Sequence, residues 1–302
     1  IVDYMFLEYQ NGRTPNPDIL CNREIKFDLF LKKAIEIGAD FVATGHYCRK
    51  EEVIINGNKI QRLLAGKDNT KDQSYFLCQV NQFQLSKTLF PIGDMQKKEV
   101  RKLAKEIGLN TAEKKDSQGL CFIGKVKLPT FLQQFLKPKT GKVVEIDSNN
   151  SMYHKENITN KFESFKYSSS MGKVIGEHNG AHYYTIGQRK GIKIASNNPL
   201  YVVNIDADKN TIVVGNKDCL EVKQIKLRDL NILGSKKEFN EEINIKVRST
   251  GRLLKAKVNL LENYADVEIL DKETGISPGQ ACVFYSKDKI GDKVLGGGWI
   301  HK

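Results

Sequence analysis

Two cysteine-bearing segments hold the residue types that could do covalent chemistry, and the first spans residues 12–22. Its sequence is Gly-Arg-Thr-Pro-Asn-Pro-Asp-Ile-Leu-Cys-Asn, so Asp18 precedes Cys21 by three residues. The two prolines stiffen the loop, which leads into a predicted helix whose N-terminal dipole would favour a thiolate at Cys21. A carboxylate near that thiol could act as a general acid or base. The alternative is a helix-capping loop with an incidental cysteine.

The second segment spans residues 114–124, with the sequence Lys-Lys-Asp-Ser-Gln-Gly-Leu-Cys-Phe-Ile-Gly, and its cysteine is Cys121. The neighbouring Lys114 and Lys115 would lower the pKa of the Cys121 thiol if they face it. The alternative is a small buried residue in a strand. The six cysteines contain no Cys-x-x-Cys pair and no histidine at metal-ligand spacing, so we expect no zinc site.

Three further motifs are polar or basic. Residues 71–77, Lys-Asp-Gln-Ser-Tyr-Phe-Leu, bring charged and amide groups to an apolar segment; the alternative is a helix cap, because Asp and Ser both cap well. Residues 176–191 place aromatic side chains beside Arg and Lys, which is typical of RNA contacts, although a glycine-rich turn with a solvated basic end fits equally. Residues 277–281, Ser-Pro-Gly-Gln-Ala, indicate a tight turn before a strand.

The elements that must position the first two motifs are predicted to form an α/β domain over residues 1–124. The predicted elements are a helix over 23–37 that stops at Gly38, a buried strand over 40–44, a hairpin over 52–64 with Asn56-Gly57 at its turn, and a helix over 96–107 with Val100, Leu103, Ala104 and Ile107 as its buried stripe. Alternating helices and short apolar strands favour a parallel sheet. Ligands of such sheets lie at the carboxyl ends of the strands, and Gly45-His46 is one such end.

The rest of the chain divides into two predicted regions. Residues 125–199 are basic and mixed, with a short helix over 129–136 and a polar loop over 147–170 that we expect to be mobile. Residues 200–302 contain strand after strand, which favours a small antiparallel barrel or sandwich. The predicted strands lie at 200–205, 211–215, 242–248, 256–261, 265–269 and 282–285.

Composition and charge narrow the class of protein. Hydrophobic residues make up 40% of the 302, which excludes disorder throughout, and no run of apolar residues is long enough for a transmembrane helix. The net charge is +12, and residues 121–200 carry 12 basic and 5 acidic side chains, a net +7. This charge favours a polyanionic partner such as nucleic acid. The middle third of the chain is the candidate region of electrostatic contact. The alternative is a lysine-rich composition that only keeps the protein in solution.

The chain begins at Ile1 in the apolar stretch 1–7 without a methionine, so we expect further residues upstream. No secretory signal is present, so we expect a reducing, cytoplasmic compartment in which the thiols are free by default.

Taken together and in order, the motifs resemble those of the tRNA-specific 2-thiouridylase (MnmA) family, and they span nearly the whole chain. The resembling segments are 12–27, 43–47, 71–77, 90–93, 115–124, 187–191, 277–285 and 295–298. The resemblance implies an N-type ATP-pyrophosphatase domain over 1–124 with a Rossmann-like parallel sheet that is incomplete at its N-terminus. It further implies a small tRNA-binding central domain over 125–199 and a C-terminal β-barrel over 200–302.

The resemblance also implies an activity. Enzymes of this family adenylate the C2 oxygen of the anticodon wobble uridine of tRNA and replace that oxygen with sulfur, which gives 2-thiouridine, AMP and pyrophosphate. The implied cofactors are ATP and Mg²⁺. The implied partners are tRNA and a persulfide sulfur donor, either a cysteine desulfurase or a sulfur-relay protein, and no membrane is implied.

Individual roles are implied by matching positions of the family motifs. Cys121 matches the cysteine that receives the persulfide, and Cys21 matches the partner that releases the sulfur and forms a disulfide with Cys121. Asp18 matches the acid/base, and Asn16, Pro17 and Asp18 match the loop that meets the target base. Gly45 matches an ATP contact. The matched tRNA contacts are His46, Lys71, Asp72, Gln73, Arg248 and Gln280.

The sequence departs from the family pattern in two places. The Ser-Gly-Gly-x-Asp-Ser pyrophosphatase loop is absent from it, and we expect that loop upstream of Ile1. The segment 147–170 is longer than the usual connection. One competing hypothesis is a non-catalytic RNA-binding protein on a degenerate ATP-pyrophosphatase fold, against which the intact Cys21, Asp18 and Cys121 argue. Another is a related ATP-pyrophosphatase acting on a small carboxylate, which leaves both cysteines unexplained.

Overall fold

The computed structural model describes residues 1–114, 124, 128–146, 167–196, 198–289 and 291–301. Cys121 and the greater part of the segment 147–170 lie outside the described residues. The described strands form three sheets, with two, four and eight strands. Within the described part of the chain, no helix combines the length and the apolar composition needed to cross a membrane.

The helices cluster in the N-terminal part of the chain. They are α1 (Val2–Gln10), α2 (Pro17–Leu20), a π-helix (Cys21–Leu29), α3 (Phe30–Glu36), α4 (Gln82–Ser86), α5 (Lys97–Glu106) and α6 (Leu128–Leu132). The segments from Pro17 to Glu36 follow one another without a break, so the helix predicted over 23–37 begins six residues earlier than expected. Its stop at Gly38 is confirmed by a left-handed φ of 96° at that glycine.

The strands alternate with these helices at first and then follow one another directly. They are β1 (Val42–Ala43), β2 (Cys48–Ile55), β3 (Asn58–Ala65), β4 (Thr88–Leu89), β5 (Gly141–Ile146), β6 (Gly172–His178), β7 (Tyr201–Asp206), β8 (Thr211–Gly215), β9 (Gln224–Ile232), β10 (Ile243–Lys246), β11 (Leu254–Leu260), β12 (Tyr264–Ile269), β13 (Ala281–Asp288) and β14 (Gly291–Ile300).

The predicted parallel pairing is confirmed, because Val42 of β1 lies opposite Thr88 of β4 in a parallel register. Two details of the N-terminal prediction are wrong. The strand predicted as buried over 40–44 has only two residues in β-pairing, and Phe41 is 51% exposed. The stripe predicted as buried on α5 is exposed at Leu103 and Ile107 and half-buried at Val100 and Ala104, because the described residues cover that face only in part.

The predicted hairpin is confirmed, and it joins the C-terminal sheet. Strands β2 and β3 pair around Asn56 and Gly57, whose φ angles of 50° and 78° suit a two-residue turn. Leu63 and Leu64 of β3 then pair with β14. The hairpin therefore ties the N-terminal region to the end of the chain.

The predicted C-terminal barrel is confirmed, with six closing strands among the described residues. Their order is β13, β10, β11, β12, β9 and β14, and the pairing of β13 with β14 closes the ring. Alternate residues point into an apolar core, as in β11, where buried and exposed positions alternate. Buried core residues include Ile225, Leu227, Ile245, Ala256, Val267 and Phe284.

Strands β7 and β8 belong to a different sheet from the one expected. We predicted them within the C-terminal region 200–302, but β8 pairs with β5 and β7, so both lie in the four-stranded central sheet β6-β5-β8-β7. The physical reason is that alternation identifies a strand without identifying its neighbour. The short helix predicted over 129–136 is α6 followed by turns, and its Phe131 ring stacks on Phe6 of α1.

Candidate functional site

Cys21 lies one turn inside a helix and not at its N-terminus. Asn16 is the N-cap of α2, its side chain accepts a hydrogen bond from the Ile19 amide at 3.4 Å, and Pro17 occupies the first helical position. Cys21 follows α2 as the first residue of the π-helix. The expectation that the helix N-terminus would act directly on this thiol is therefore wrong, because the dipole effect fades within the first turn.

The surroundings of Cys21 hold its thiol in the protonated form. The residue is 4% exposed, and burial raises the pKa of the Cys21 thiol, while Lys26 opposes the shift and Asp18 adds to it. The predicted neighbour Asp18 thus lies close enough to act on the thiol electrostatically. A thiol with a raised pKa needs a base before it can act as a nucleophile.

The loop before Cys21 is bound to a turn of the C-terminal barrel. The Thr14 amide donates to the Pro278 carbonyl at 2.8 Å, and the Gln280 side-chain amide donates to the Thr14 carbonyl at 3.0 Å. The Asn16 side-chain amide donates to Gln280 Oε1 at 3.4 Å. At Gly279, whose φ is 91°, a Cβ would lie 2.9 Å from the Thr14 backbone, so only glycine permits this approach. The structure therefore brings the predicted residues Asn16 and Gln280 together.

His46 packs against the same helix that carries Cys21. It follows β1, is 9% exposed, and its Nδ1 lies 2.9 Å from Thr44 Oγ1. Its ring lies 5.8 Å from that of Phe27 in the π-helix and 6.4 Å from that of Phe90. Burial, with a smaller effect from Lys26, lowers the pKa of His46 to about 4, so the imidazole is neutral at physiological pH.

Gln73 connects the predicted motif 71–77 to Tyr47, the residue after His46. Its side-chain oxygen accepts from the Tyr47 backbone amide at 3.0 Å, and the Gln73 backbone amide donates to the Tyr47 carbonyl at 3.1 Å. The structure therefore places Gln73 beside the residue that follows His46, so these two predicted tRNA contacts are close in space. Lys71, the first residue of the motif, is half-buried.

The Asp72 carboxylate makes hydrogen bonds and an ion pair within the protein. Its Oδ1 accepts from the amides of Gly66 and Ser74 at 3.1 and 3.0 Å, and its Oδ2 lies 3.5 Å from Lys246 Nζ in β10. These contacts hold the local backbone as a capping residue does, although the N-cap of the short helix Ser74–Leu77 is Gln73 and its side chain makes no capping hydrogen bond. Two residues beyond Lys246, Arg248 is exposed, donates to the Glu273 carboxylate and bonds the Thr274 carbonyl at 3.1 Å. The charged groups of Asp72 and Arg248 are thus both paired within the protein.

Sequence reasoning missed Lys26. It lies in the π-helix, its ammonium donates to Asn22 Oδ1 at 3.0 Å, and it acts electrostatically on both Cys21 and His46. An α-helical reading separates positions 21 and 26, whereas a π-helix with its wider turn places residues five apart on one face. The sequence carried no signal for that register.

The described residues include an open backbone at Gly45 but no cluster of metal-ligating side chains. Gly45 is exposed at the carboxyl end of β1, and a Cβ there would meet no atom within 4 Å, so the backbone is open to a ligand. Among the described residues, no group of three or more His, Cys, Asp or Glu is arranged to hold a metal. The thiols of Cys48, Cys78 and Cys282 are fully buried, and burial raises the pKa of each.

Comparison with known families covers almost the whole chain. Residues 1–125 match the family described as tRNA methyl transferase HUP domain, and residues 129–216 match the tRNA methyl transferase PRC-barrel domain. Residues 222–300 match the aminomethyltransferase beta-barrel domain. The second match includes β7 and β8, in agreement with the sheet in which the structure places them.

Individual relatives are similar over nearly the full chain. The protein named tRNA-specific 2-thiouridylase MnmA of Christiangramia forsetii is 49% identical over 99% of this chain and 80% of its own length. Its namesake in Flavobacterium johnsoniae is 48% identical over 96% of this chain and 78% of its own length. The Karelsulcia muelleri protein of the same name is 42% identical, with 99% and 80% covered.

Proposed function

The chain belongs to the tRNA-specific 2-thiouridylase (MnmA) family, and from this premise we propose that it catalyses the ATP-dependent 2-thiolation of the wobble uridine in tRNA anticodons. The observation that best supports the proposal is the arrangement of Asn16, Asp18 and Cys21 on one capped helix start held by Gln280. We place the reaction in the cytoplasm, where the thiol pool is reducing.

The first step of the proposal activates the uridine. The C2 oxygen attacks the α-phosphorus of ATP and pyrophosphate leaves, which converts a poor leaving group into AMP. Gly45 is the residue we assign to the nucleotide, because its backbone is open at the end of β1. We propose that Mg²⁺ accompanies the triphosphate, and no described residue is assigned to it.

The second step transfers sulfur. The terminal sulfur of a persulfide on Cys121 attacks C2 and AMP leaves, so that Cys121 Sγ is joined to the base through one sulfur atom. The Cys21 thiolate then attacks Cys121 Sγ, the sulfur–sulfur bond breaks with its electron pair on the base sulfur, and 2-thiouridine departs. A thiol reductant must afterwards open the Cys21–Cys121 disulfide, and a persulfide donor must reload Cys121.

The environment of Cys21 gives Asp18 a task in this scheme. Because burial raises the pKa of the Cys21 thiol, the attack requires removal of its proton. Asp18 lies one helical turn before Cys21 and is the assigned base, while Asn16 and Pro17 face the target uridine. His46, Lys71 and Gln73 are assigned to tRNA contacts around this loop. Asp72, Arg248 and Gln280 complete the assigned tRNA-contacting set.

A first experiment tests the sulfur carrier. We expect Cys121→Ser in the full-length protein to abolish 2-thiouridine formation while tRNA affinity stays within about twofold, because a hydroxyl cannot carry a persulfide. Thiouridine is measured by mass spectrometry of digested tRNA. Cys78→Ser is the matched control, because Cys78 is fully buried with a pKa raised to about 12. Normal thiolation by the Cys121 variant would refute the role.

A second experiment tests the pairing. After one turnover and quenching with an alkylating agent, the wild type should yield a Cys21–Cys121 linked peptide, and Cys21→Ser should retain the persulfide on Cys121. Repeated turnover by Cys21→Ser without added thiol would remove Cys21 from the mechanism. The competing hypothesis of a non-catalytic RNA-binding protein predicts tRNA binding with no thiouridine in any sample, wild type included.

A further inference from the structure

Glu8 is a buried carboxylate that joins three parts of the chain. It lies in α1 and is 2% exposed. Its two oxygens accept from Arg13 Nε at 2.7 Å and Arg13 Nη2 at 2.5 Å, and Oε1 also accepts from Arg228 Nη2 at 3.3 Å. Arg13 belongs to the loop 12–22, and Arg228 belongs to β9 of the C-terminal barrel. One carboxylate therefore holds the loop against the barrel.

A second contact reaches the same part of β9 from the residues that follow Cys21 in the chain. The Gln79 side-chain amide donates to the carbonyls of Asp229 and Gly297, each at 3.2 Å. Its Oε1 accepts from Arg23 Nη1 at 3.3 Å, and Arg23 lies two residues after Cys21. The helix that carries Cys21 is thus bound to the residue beside Arg228.

Strand β9 is irregular at the residues that make both contacts. Asp229 has a φ of 51°, in the left-handed region that few non-glycine residues adopt, and the pairing of β9 with β14 shifts register between Gly297 and Trp299. Such bulges redirect side chains locally and recur beside active sites. At this irregularity Arg228 reaches Glu8 and the Asp229 carbonyl accepts from Gln79.

We propose that Glu8 is a positioning residue: through Arg13 and Arg228 it fixes the loop bearing Asn16, Asp18 and Cys21 on the bulged strand β9. This inference rests on the proposed function, which makes that loop catalytic. The C-terminal barrel is then part of the catalytic scaffold and not only a surface for RNA.

Physical chemistry makes this contact specific and sensitive. A two-point bond between a guanidinium and a carboxylate fixes direction as well as distance. Only Glu8 is fully buried in this cluster, so loss of an arginine leaves a buried carboxylate with less compensation, which is more disruptive than loss of a surface pair. A displacement of about 1 Å in a catalytic loop can lower the rate by on the order of a hundredfold.

The test uses Glu8→Gln in the full-length protein, with Arg228→Ala and Arg228→Lys beside it. The matched control is Lys293→Met, which breaks the pair between Lys293 and Glu238 in the same barrel; among the described residues, neither member hydrogen-bonds to the loop 12–22. The readouts are the single-turnover thiolation rate, the tRNA dissociation constant, and the rate at which Cys21 is alkylated, followed by peptide mass spectrometry.

We expect Glu8→Gln to lower the thiolation rate by about tenfold to a hundredfold with tRNA affinity changed by less than about twofold. Cys21 alkylation should accelerate by about tenfold, because the loop opens more often. Arg228→Lys should recover part of the rate lost in Arg228→Ala, and the Lys293 variant should behave as wild type.

Two outcomes separate this inference from the proposed function. An inactive wild type would refute the function, whereas the alkylation rates of Cys21 would still decide whether Glu8 fixes the loop. An active wild type with unchanged thiolation and alkylation in Glu8→Gln would overturn the inference. If Glu8→Gln does not fold, the comparison of Arg228→Lys with Arg228→Ala decides, and equal rates in those two variants would count against it.

Discussion

Lowering the pH should destabilise the protein through His46 before it affects the carboxylates. The folded imidazole has a pKa of about 4, compared with an ordinary value near 6.5 in the unfolded chain. Below pH about 6.5 the unfolded state therefore binds a proton that the folded state refuses, so stability falls as the pH falls toward about 4. At about 1.4 kcal/mol per pKa unit, the full loss is about 3 kcal/mol.

The cause of this shift is local and can be removed by substitution. His46 is buried between Phe27 and Phe90, and Lys26 lies on the neighbouring π-helix. Between about pH 7.5 and about pH 5 the linkage relation gives a loss of about 2 kcal/mol from this one residue. His46→Gln keeps a polar side chain beside Thr44 but does not titrate, so its stability should fall by about 2 kcal/mol less over the same interval.

The assay is urea unfolding of wild type and His46→Gln at both pH values, together with NMR titration of the histidine Cε1 protons. The chain has five histidines, so single variants suffice to assign the His46 signal. Burial also lowers the pKa of His178 and His182, which act with the same sign in both proteins and cancel in the comparison. An equal pH dependence in the two proteins, or a His46 midpoint above about pH 6, would refute the reasoning.

Three other perturbations have expected outcomes. Gln280→Ala removes the amide that donates to the Thr14 carbonyl. It should lower the free energy of unfolding in urea by about 1 kcal/mol and also lower the thiolation rate. A normal thiolation rate would contradict the assigned role of Gln280. Gly93→Ala should lower the melting temperature sharply, because its Cβ would lie 1.8 Å from the Cys48 carbonyl oxygen. The matched variant Gly45→Ala, whose Cβ would meet no atom within 4 Å, should melt as wild type and weaken ATP binding. The affinity for tRNA should fall at least about tenfold between about 50 and 200 mM salt through counterion release, and a flat response would argue against the basic region 121–200 as an electrostatic contact.

Local patterns were sufficient for the elements that depend on nearby residues. The Asn56-Gly57 turn, the helix stop at Gly38 and the parallel pairing of β1 with β4 follow from turn chemistry, a left-handed glycine and an α/β alternation. The motif 71–77 predicted a local polar contact, and the Asp72 carboxylate accepts from the Ser74 amide, although the N-cap of the short helix Ser74–Leu77 is Gln73.

The failures lie where the answer depends on partners far away in the chain. Alternation identified β7 and β8 as strands but could not pair β8 with β5, which lies about seventy positions earlier in the chain. The stripe on α5 has the period of a buried helix face, yet exposure depends on what packs there. The role of Glu8 was also invisible, because its partner Arg228 is 220 positions away.

The candidate site combines a thiol that resists ionisation with a loop that is fixed at both ends. Burial keeps Cys21 protonated, and a protonated, covered thiol reacts slowly with small oxidants. In the proposed reaction, the same burial means that the Cys21 thiol must lose its proton to a base, assigned to Asp18, before it attacks the persulfide-bearing cysteine. Under the proposed function, the contacts of Glu8 and Gln280 hold the segment before Cys21 in place, and this favours a reaction partner that fits that segment. In the proposed reaction the barrel therefore acts on the thiol indirectly, through the contacts that Gln280 and Arg228 make with the segment before Cys21 and with Glu8.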